Sequence, residues 1–475
     1  MTHAPLVRDR LYIDGAWSAP AVAAAPIEVT DSATGGPLGT VPTGSAGDVD
    51  RAVEAARRAL EVWSRTTPDE RARALEAIRD ALAARLDEIA EVISLEVGTP
   101  TNISRKVQVG LPLATLQGFA DAARSMEWER TVGNSLVTRE AAGVVAAITP
   151  WNYPLHQLVG KVGGALAAGC TVVAKPASQA PFAAFFLADA IEAAGLPAGV
   201  FNVVSGGGAE IGEALASHPG VDLVSFTGST PVGSRIAQLA GTHVARVSLE
   251  LGGKSASVIL DDADLERAVK SSVGNAFLNS GQTCSAWTRL VVPRAKQAEV
   301  VELAVAAAAR LTLGHPLDDT TRLGPLVSAG QRDSVTDYIR LGESEARLVA
   351  GGTSTPSGLG GGFYVAPTIF ADVDNASRIA QEEIFGPVLT IIPHDGDDQA
   401  VAIANDSPYG LAGGVWGDPE RALAVARRIR TGQVDINGGA FNPVAPLGGV
   451  KSSGYGREFG EYGIEEFTVA KAIQR

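Results

Sequence analysis

The strongest constraint on this chain lies between residues 143 and 260, where short apolar segments alternate with helical stretches. The apolar segments are Val144–Ile148, Thr171–Lys175, Val200–Val204, Leu223–Thr227 and Val247–Leu251. The stretches near Gln157–Ala168, Pro181–Ala194, Ala209–Ser217 and Thr230–Leu239 carry helical patterns. Repeated strand-helix-strand units predict a parallel sheet covered by helices on both faces. Such sheets bind ligands beyond the C-terminal ends of their strands. A second alternating region, from about 255 to 445, predicts another α/β unit. Its strands fall near Ser257–Leu260, Leu290–Val292, Val388–Ile392 and Gln433–Ile436, and its helices near Asp264–Leu278 and Ala295–Leu311. At 475 residues the chain exceeds what one core supports.

Upstream, residues 10–45 read as short strands and turns, followed by a helix from Asp48 to Trp63. The next helix has an explicit start: Thr67 as N-cap, Pro68 in the first turn, and Glu70 closing a capping box. Apolar residues then recur at helical spacing through Leu75, Ile78, Leu82, Leu86, Ile89 and Ile93, which predicts one long helix ending at Gly98 and Pro100. Arg130–Glu140 alternates like an exposed strand pair and belongs to neither α/β unit.

A formal charge of −14 favours solubility and disfavours nucleic acid or anionic membrane as partner. The start of the chain lacks the apolar stretch of a signal peptide. The apolar run Val162–Ala174, bounded by Lys161 and Lys175, is shorter than the roughly 18 residues a membrane span needs. Two cysteines, Cys170 and Cys284, exclude a disulfide framework and point to a reducing, cytoplasmic setting. No Cys/His pair has metal-ligand spacing, so no metal site is expected.

Cys284 lies in Asn279-Ser-Gly-Gln-Thr-Cys-Ser285, among small polar neighbours, where a thiol can serve as nucleophile if a base or positive field assists it. A buried structural cysteine is the plainer alternative, and it is the reading for Cys170, just before a buried strand. Glu250 ends an apolar strand and is followed by Gly252 and Gly253. A carboxylate in a partly dry cleft has a raised pKa and suits a general base, whereas a solvated strand end is the alternative. Asn152, in Thr149-Pro-Trp-Asn152, could donate to an oxyanion or simply cap the following helix. Gly206-Gly-Gly-Ala-Glu-Ile-Gly212 follows a strand but breaks the dinucleotide fingerprint, because residue 211 is Ile. The Phe226-Thr-Gly-Ser-Thr230 loop also runs from strand into helix and could offer Gly228 and Ser229 to a pyrophosphate. Lys175 would place an ammonium near ribose or phosphate, or would stand solvated at a strand end.

Taken together, these segments resemble the aldehyde dehydrogenase superfamily, in the hydrolytic branch that releases free acid. The resemblance covers nearly the whole chain. Its motifs appear in family order: Thr149-Pro-Trp-Asn152, Lys175-Pro176, Phe226-Thr-Gly-Ser-Thr230, Leu249-Glu-Leu-Gly-Gly-Lys254, Gly281-Gln-Thr-Cys284, Glu382-Glu-Ile-Phe-Gly-Pro387 and Pro446-Leu-Gly-Gly-Val-Lys-Ser-Ser-Gly454. It implies a Rossmann-like dinucleotide-binding domain (1–122 and 142–252), an α/β catalytic domain (253–450) and a small β oligomerisation element (123–141 and 465–475), in a homodimer or homotetramer. It implies Cys284 as nucleophile, an oxyanion held by the Asn152 amide and the Cys284 backbone N–H, and Glu250 as the base that activates water. Lys161 and Glu458 would assist proton traffic. The cofactor would be NAD or NADP, contacted by Thr149, Trp151, Lys175, Ser178, Gly208, Gly212, Phe226, Gly228, Ser229, Leu251, Glu383 and Phe385.

One departure bears on the cofactor. Many NAD-preferring members carry Glu three residues after the lysine, where this chain has Ser178. A carboxylate repels a 2′-phosphate, whereas a hydroxyl can donate to it, so NADP is expected to be tolerated. The expected tunnel residues are Tyr153, Gln157, Gly160, Thr283, Ser285, Phe441 and Leu447, with Gly160 leaving room where relatives carry a bulky residue. No arginine stands among them to clamp a second carboxylate, which favours medium aliphatic or aromatic aldehydes. Two other readings compete. A CoA-acylating relative would typically lack the Glu250 base, and a non-catalytic structural relative would not need Cys284, Glu250 and Asn152 intact.

Overall fold

A computed structural model describes residues 5–475. The predicted strands of the first region lie side by side in an eight-stranded sheet, in the order Gly454–Tyr455, Arg246–Glu250, Leu223–Thr227, Val144–Ile148, Thr171–Lys175, Phe201–Val203, Leu11–Ile13, Ala16–Ser18. The inner strands pair in parallel, and antiparallel partners close both sides. From Val144–Ile148 the chain builds outward to one side through Thr171–Lys175 and Phe201–Val203. It then returns to the other side through Leu223–Thr227 and Arg246–Glu250. Val144–Ile148 is therefore the switch point, and a crevice opens beyond its C-terminal end.

The second region forms a seven-stranded sheet, in the order Arg347–Ala350, Thr368–Ala371, Val388–His394, Arg289–Pro293, Ala256–Ile259, Gly413–Trp416, Asp435–Ile436. All its pairings are parallel except that of Arg347–Ala350. The segment Leu251–Ser255 joins the two large sheets, so Glu250 ends a strand of one and Ala256 begins a strand of the other. The exposed pair predicted at Arg130–Glu140 is the hairpin Glu129–Val132 and Ser135–Ala141. The strand Thr468–Gln474 pairs along its second arm.

Several elements depart from expectation. The long helix after Thr67 is two helices, Pro68–Ala83 and Leu86–Val97. No Gly or Pro marks the break. Arg85 sits between them with its guanidinium tied to Glu88 and to Asp189 of another helix, a tertiary contact that local pattern does not carry. The segment after Phe201–Val203 opens with a wide turn at Gly208–Gly212 before the short helix Glu213–Ser217. The helix expected from Gln157 begins at Pro154 and runs to Ala168. This places residues 156 and 160 one turn apart on a single helix face.

Candidate active site

Each predicted chemical residue hangs on a strand end or on a loop that the sheets fix. Asn152 follows the switch-point strand. Its main-chain carbonyl accepts from Gln108 Nε2 at 2.9 Å and from Asn279 Nδ2 at 3.0 Å. Its own amide Nδ2 donates to the Gln282 carbonyl at 3.0 Å. A primary amide has two N–H groups, so one remains for another acceptor. Asn279 and Ser280 both adopt left-handed backbone conformations, with φ of 53° and 56°. Gln282 locks that turn, accepting from Val327 N at 2.9 Å and donating to Asn279 O at 3.1 Å. The segment carrying Cys284 is thus pinned to the segment carrying Asn152 by buried hydrogen bonds.

Cys284 lies between two cavities. The first, of about 240 Å3, is lined by Trp151, Asn152, Gly228, Ser229, Leu251, Gly252, Glu383 and Phe385. The second, of about 420 Å3, is lined by Tyr153, Gln157, Thr283, Ser285, Phe441 and Leu447 among others. Among the described residues Cys284 alone lines both. Burial pushes its thiol well above the usual range, with the carboxylates of Glu250 and Glu383 adding to the shift. The free protein therefore keeps this sulfur protonated until a base or a positive charge joins it.

Glu250 is buried, and its Oε1 has no hydrogen-bond partner. Burial first, then repulsion from Glu458, pushes its carboxyl up to about 8, against a lowering pull from Lys161. Lys161 Nζ donates to Glu458 Oε1 at 2.6 Å, and both side chains are closed to solvent. Predicted Lys161 and Glu458 are therefore brought together as a pair that acts on Glu250 through its field.

The first cavity has the features of a nucleotide site. Phe385, with φ of 57°, is held by Gln331 Nε2 on its carbonyl at 2.9 Å, and its ring stands edge-on to Trp151 at 5.4 Å. Glu383 Oε1 accepts from Gly253 N at 2.9 Å, and burial pushes its carboxyl up to about 7. A Cβ on Gly252 would fall 2.1 Å from Glu383 Oε2, so the glycine is what lets this carboxyl approach. Gly228 stands over the ring of Phe226, and Ser229 occupies the N-cap position of the helix that begins at Thr230, its hydroxyl not used in capping. Further out, Thr149 N donates to Lys175 O at 3.1 Å. Lys175 Nζ has only the Pro176 carbonyl at 3.0 Å, and burial lowers its ammonium to about 8. Ser178 Oγ donates to Gly206 O at 3.1 Å, beside Gly208 and Gly212, whose Cα atoms face open space.

On the other side of Cys284, Tyr153 and Thr283 hydroxyls lie 2.7 Å apart, and Gln157 Oε1 is 3.4 Å from Thr227 Oγ1. Gly160 does not leave the space expected of it. A Cβ there would fall 3.0 Å from both Glu458 Oε2 and Phe459 Cε1, because these residues have moved into the gap. Phe459 itself adopts φ of 70° to do so. Among the contributors that were not expected are His156 and Lys106, which line the second cavity, and Gln331, which lines the first. His156 lies in the first turn of the helix that begins at Pro154, one turn before Gly160, and that spacing is the signal that could have singled it out. Gln331 comes from a distant helix, Ala329–Glu345, and carries no local signal. Among the described residues no cluster of His, Cys, Asp and Glu could hold a metal ion.

A doubly wound sheet, a second α/β layer and a cleft between them that exposes a thiol define a dehydrogenase of the two-domain α/β class. The chain belongs to the aldehyde dehydrogenase family, whose model matches residues 17–473. It is 49% identical over 470 residues to the 3-succinoylsemialdehyde-pyridine dehydrogenase of a Pseudomonas species, covering 97% of each chain. The fold is similar to that of a mutant of aldehyde dehydrogenase C from Pseudomonas syringae in complex with NAD+ and octanal. The TM-score is 0.97 at 46% identity, over 98% of this chain and 96% of that one. It is equally similar to an aldehyde dehydrogenase of Mycobacterium tuberculosis complexed with NAD+, with a TM-score of 0.97 and 44% identity over 99% of both chains.

Proposed function

We propose that this chain oxidises aldehydes to carboxylic acids with NAD+, through a covalent adduct on Cys284. The single observation that carries the reading is the position of Cys284 between two cavities, with Asn152 in one wall and the buried carboxyl of Glu250, one oxygen of it unpartnered, as a neighbour. The residues of the first cavity fit a nicotinamide nucleotide. Lys175 and Ser178 would meet the adenosine ribose, Ser229 and Trp151 the pyrophosphate, and Glu383 with Phe385 the nicotinamide ribose and ring. When bound, that group supplies the hydride acceptor.

The protein's own residues would do the rest. Glu250 takes the proton of the Cys284 thiol and passes it on to the Lys161–Glu458 pair, and the sulfur adds to the aldehyde carbon, leaving negative charge on the former carbonyl oxygen. The spare N–H of Asn152 stabilises that charge, an effect worth about 2.7–4 kcal/mol where one such donor is removed. Loss of hydride leaves a thioester on Cys284. Glu250 then takes a proton from water, the resulting hydroxide adds to the thioester carbon, and the C–S bond breaks to return the Cys284 thiolate and release the acid. The Lys161–Glu458 pair would carry the proton away from Glu250.

Four finer readings belong with this one. NADP is tolerated, because Ser178 places no charge against a 2′-phosphate. The substrate is a medium aliphatic or aromatic aldehyde, in keeping with the octanal and the pyridine semialdehyde for which the relatives are named. The domains divide near residue 252, and the hairpin with strand Thr468–Gln474 joins copies into a homodimer or homotetramer. The setting is cytoplasmic, consistent with two free cysteines and with no helix, among the described residues, long and apolar enough to cross a membrane.

The test is reduced-cofactor formation over aliphatic, aromatic and semialdehyde substrates, with NAD and NADP in parallel. Turnover that vanishes in Cys284→Ala supports the reading. Turnover that persists in that variant overturns it.

A further inference from the structure

The cavity on the aldehyde side of Cys284 is lined by the rings of His156 and Phe441, and the fully buried ring of Phe459 packs against both. His156 stacks on Phe459, with centroids 5.0 Å apart and planes 22° from parallel. Phe441 stands nearly perpendicular to both, at 6.2 Å from His156 and 6.1 Å from Phe459. Phe459 can hold this place only because residue 160 has no side chain. Phe441 is 40% exposed and covers the outer side of the cluster. Of the polar groups here, the Tyr153 hydroxyl is engaged with Thr283 and Gln157 with Thr227, and Lys106, Asn275, Gln433 and Asp435 also line the cavity. His156 is 6% exposed and forms no hydrogen bond among the described residues; its Nε2 is closed off, which leaves Nδ1 as the nitrogen the cavity reaches. Burial also pushes the imidazole down to about 4, so it is neutral at physiological pH and offers one N–H and one lone pair.

We infer that this cavity is built for an aldehyde whose tail ends in a flat ring bearing a hydrogen-bonding atom, and that His156 is the specificity-determining residue that pairs with that atom. The inference rests on the aldehyde-oxidising reading above and names its substrate class. Buried polar groups in folded proteins are paired as a rule, and an unpaired one in a ligand cavity marks where the ligand supplies the partner. A straight alkyl tail fills the volume but leaves the imidazole unpaired. A phenyl ring gains edge or face contact with Phe441 yet still leaves the nitrogen unmet. A pyridyl nitrogen or a phenolic hydroxyl meets both demands. A neutral imidazole can serve the first as donor and the second as acceptor.

The test uses 3-phenylpropanal, 3-(pyridin-3-yl)propanal and 3-(4-hydroxyphenyl)propanal, which share length and ring size. One net hydrogen bond corresponds to a preference of roughly tenfold in kcat/KM for a polar ring over phenyl. His156→Phe, which keeps the stack on Phe459, is expected to erase that preference, read as the ratio of kcat/KM for each polar ring to that for 3-phenylpropanal. His156→Gln, which keeps a hydrogen-bonding group, is expected to restore part of it. Equal kcat/KM for all three aldehydes in the unaltered enzyme overturns the inference, as does a preference that survives in His156→Phe. Preference for the pyridyl substrate alone assigns the N–H to the substrate-facing nitrogen, and preference for the phenol alone assigns the lone pair; either supports it. The unaltered enzyme decides the matter by itself if His156→Phe fails to fold. Failure to oxidise any aldehyde would instead remove the underlying reading.

Discussion

Lys161 and Glu458 form a closed ion pair, with Nζ 2.6 Å from Oε1 and neither side chain open to water, in the field of a third buried group, Glu250. The three residues come from a helix, a late loop and a strand end, and the charges of Lys161 and Glu458 bear on the protonation of Glu250. Removing one member therefore changes the pH at which Glu250 can act, in a direction that follows from the charge removed.

Glu458 raises the Glu250 pKa and Lys161 lowers it. Glu458→Gln is thus expected to move the ascending limb of the kcat–pH profile to lower pH. Lys161→Met is expected to move it to higher pH, and to cost about 3–5 kcal/mol of stability by stranding Glu458. Steady-state profiles of both variants, with thermal melts, check the opposite signs. Shifts in one shared direction would contradict the arrangement.

Glu250 sits near 8, so the deprotonated base becomes available as pH rises through that value, and turnover should climb with it. Glu250→Gln should lose about 10²–10⁴-fold in steady turnover. The same raised pKa means the folded state binds this proton more tightly than the unfolded chain. The buried carboxylate therefore costs stability once pH passes upward from about 4.3 toward 8. At pH 9 the Gln variant should melt above the unaltered protein, and at pH 5 the two should melt close together.

Cys284→Ala should leave no aldehyde oxidation while retaining the melting temperature within a few degrees, because the thiol borders two cavities and fills little core. Stopped-flow absorbance with the variant, which should show no burst, checks it. In the unaltered protein, labelling of this thiol by iodoacetamide should be slow at neutral pH and accelerate on the alkaline side, as its raised pKa requires.

Gly160→Leu should destabilise by about 1–3 kcal/mol, since its first carbon already meets Glu458 and Phe459 at 3.0 Å and the core is closed around them. Displacement of Glu458 should also disturb the pH profile. A variant with unchanged melting and unchanged profile would show that the gap is softer than the packing implies.

Ser178→Glu should sharply reduce use of NADP with little change in NAD, by setting a carboxylate against the 2′-phosphate. In the unaltered enzyme the NAD preference in kcat/KM is expected to stay below roughly a thousandfold, about 4 kcal/mol.

Much of this architecture is legible in the chain itself. Thr171–Lys175 and Leu223–Thr227 fall where apolar runs place them, because a strand buried on both faces has no freedom to be polar. Asn152 follows an apolar strand within a Pro- and aromatic-fixed loop, Glu250 ends a strand ahead of two glycines, and Cys284 stands among small polar residues. What escapes is contact between distant segments. The break at Arg85 depends on Asp189, and the antiparallel edge Gly454–Tyr455 is two residues long and carries no alternation. Gly160 is the clearest case. As a letter it signals space, but the space is claimed by residues nearly three hundred positions later, which only the fold reveals.

The last stretch of the chain has a consequence for assembly. Strand Gly454–Tyr455 adds the final edge to the cofactor-side sheet, Ser453 Oγ donates to the Gly252 carbonyl at 2.6 Å, and Glu458 and Phe459 complete the walls around Glu250 and His156. Asn152, Glu250 and Cys284 all precede this stretch, so a chain lacking it would carry the sulfur, the carboxylate and the amide without the Glu458 partner of Lys161 or the ring of Phe459.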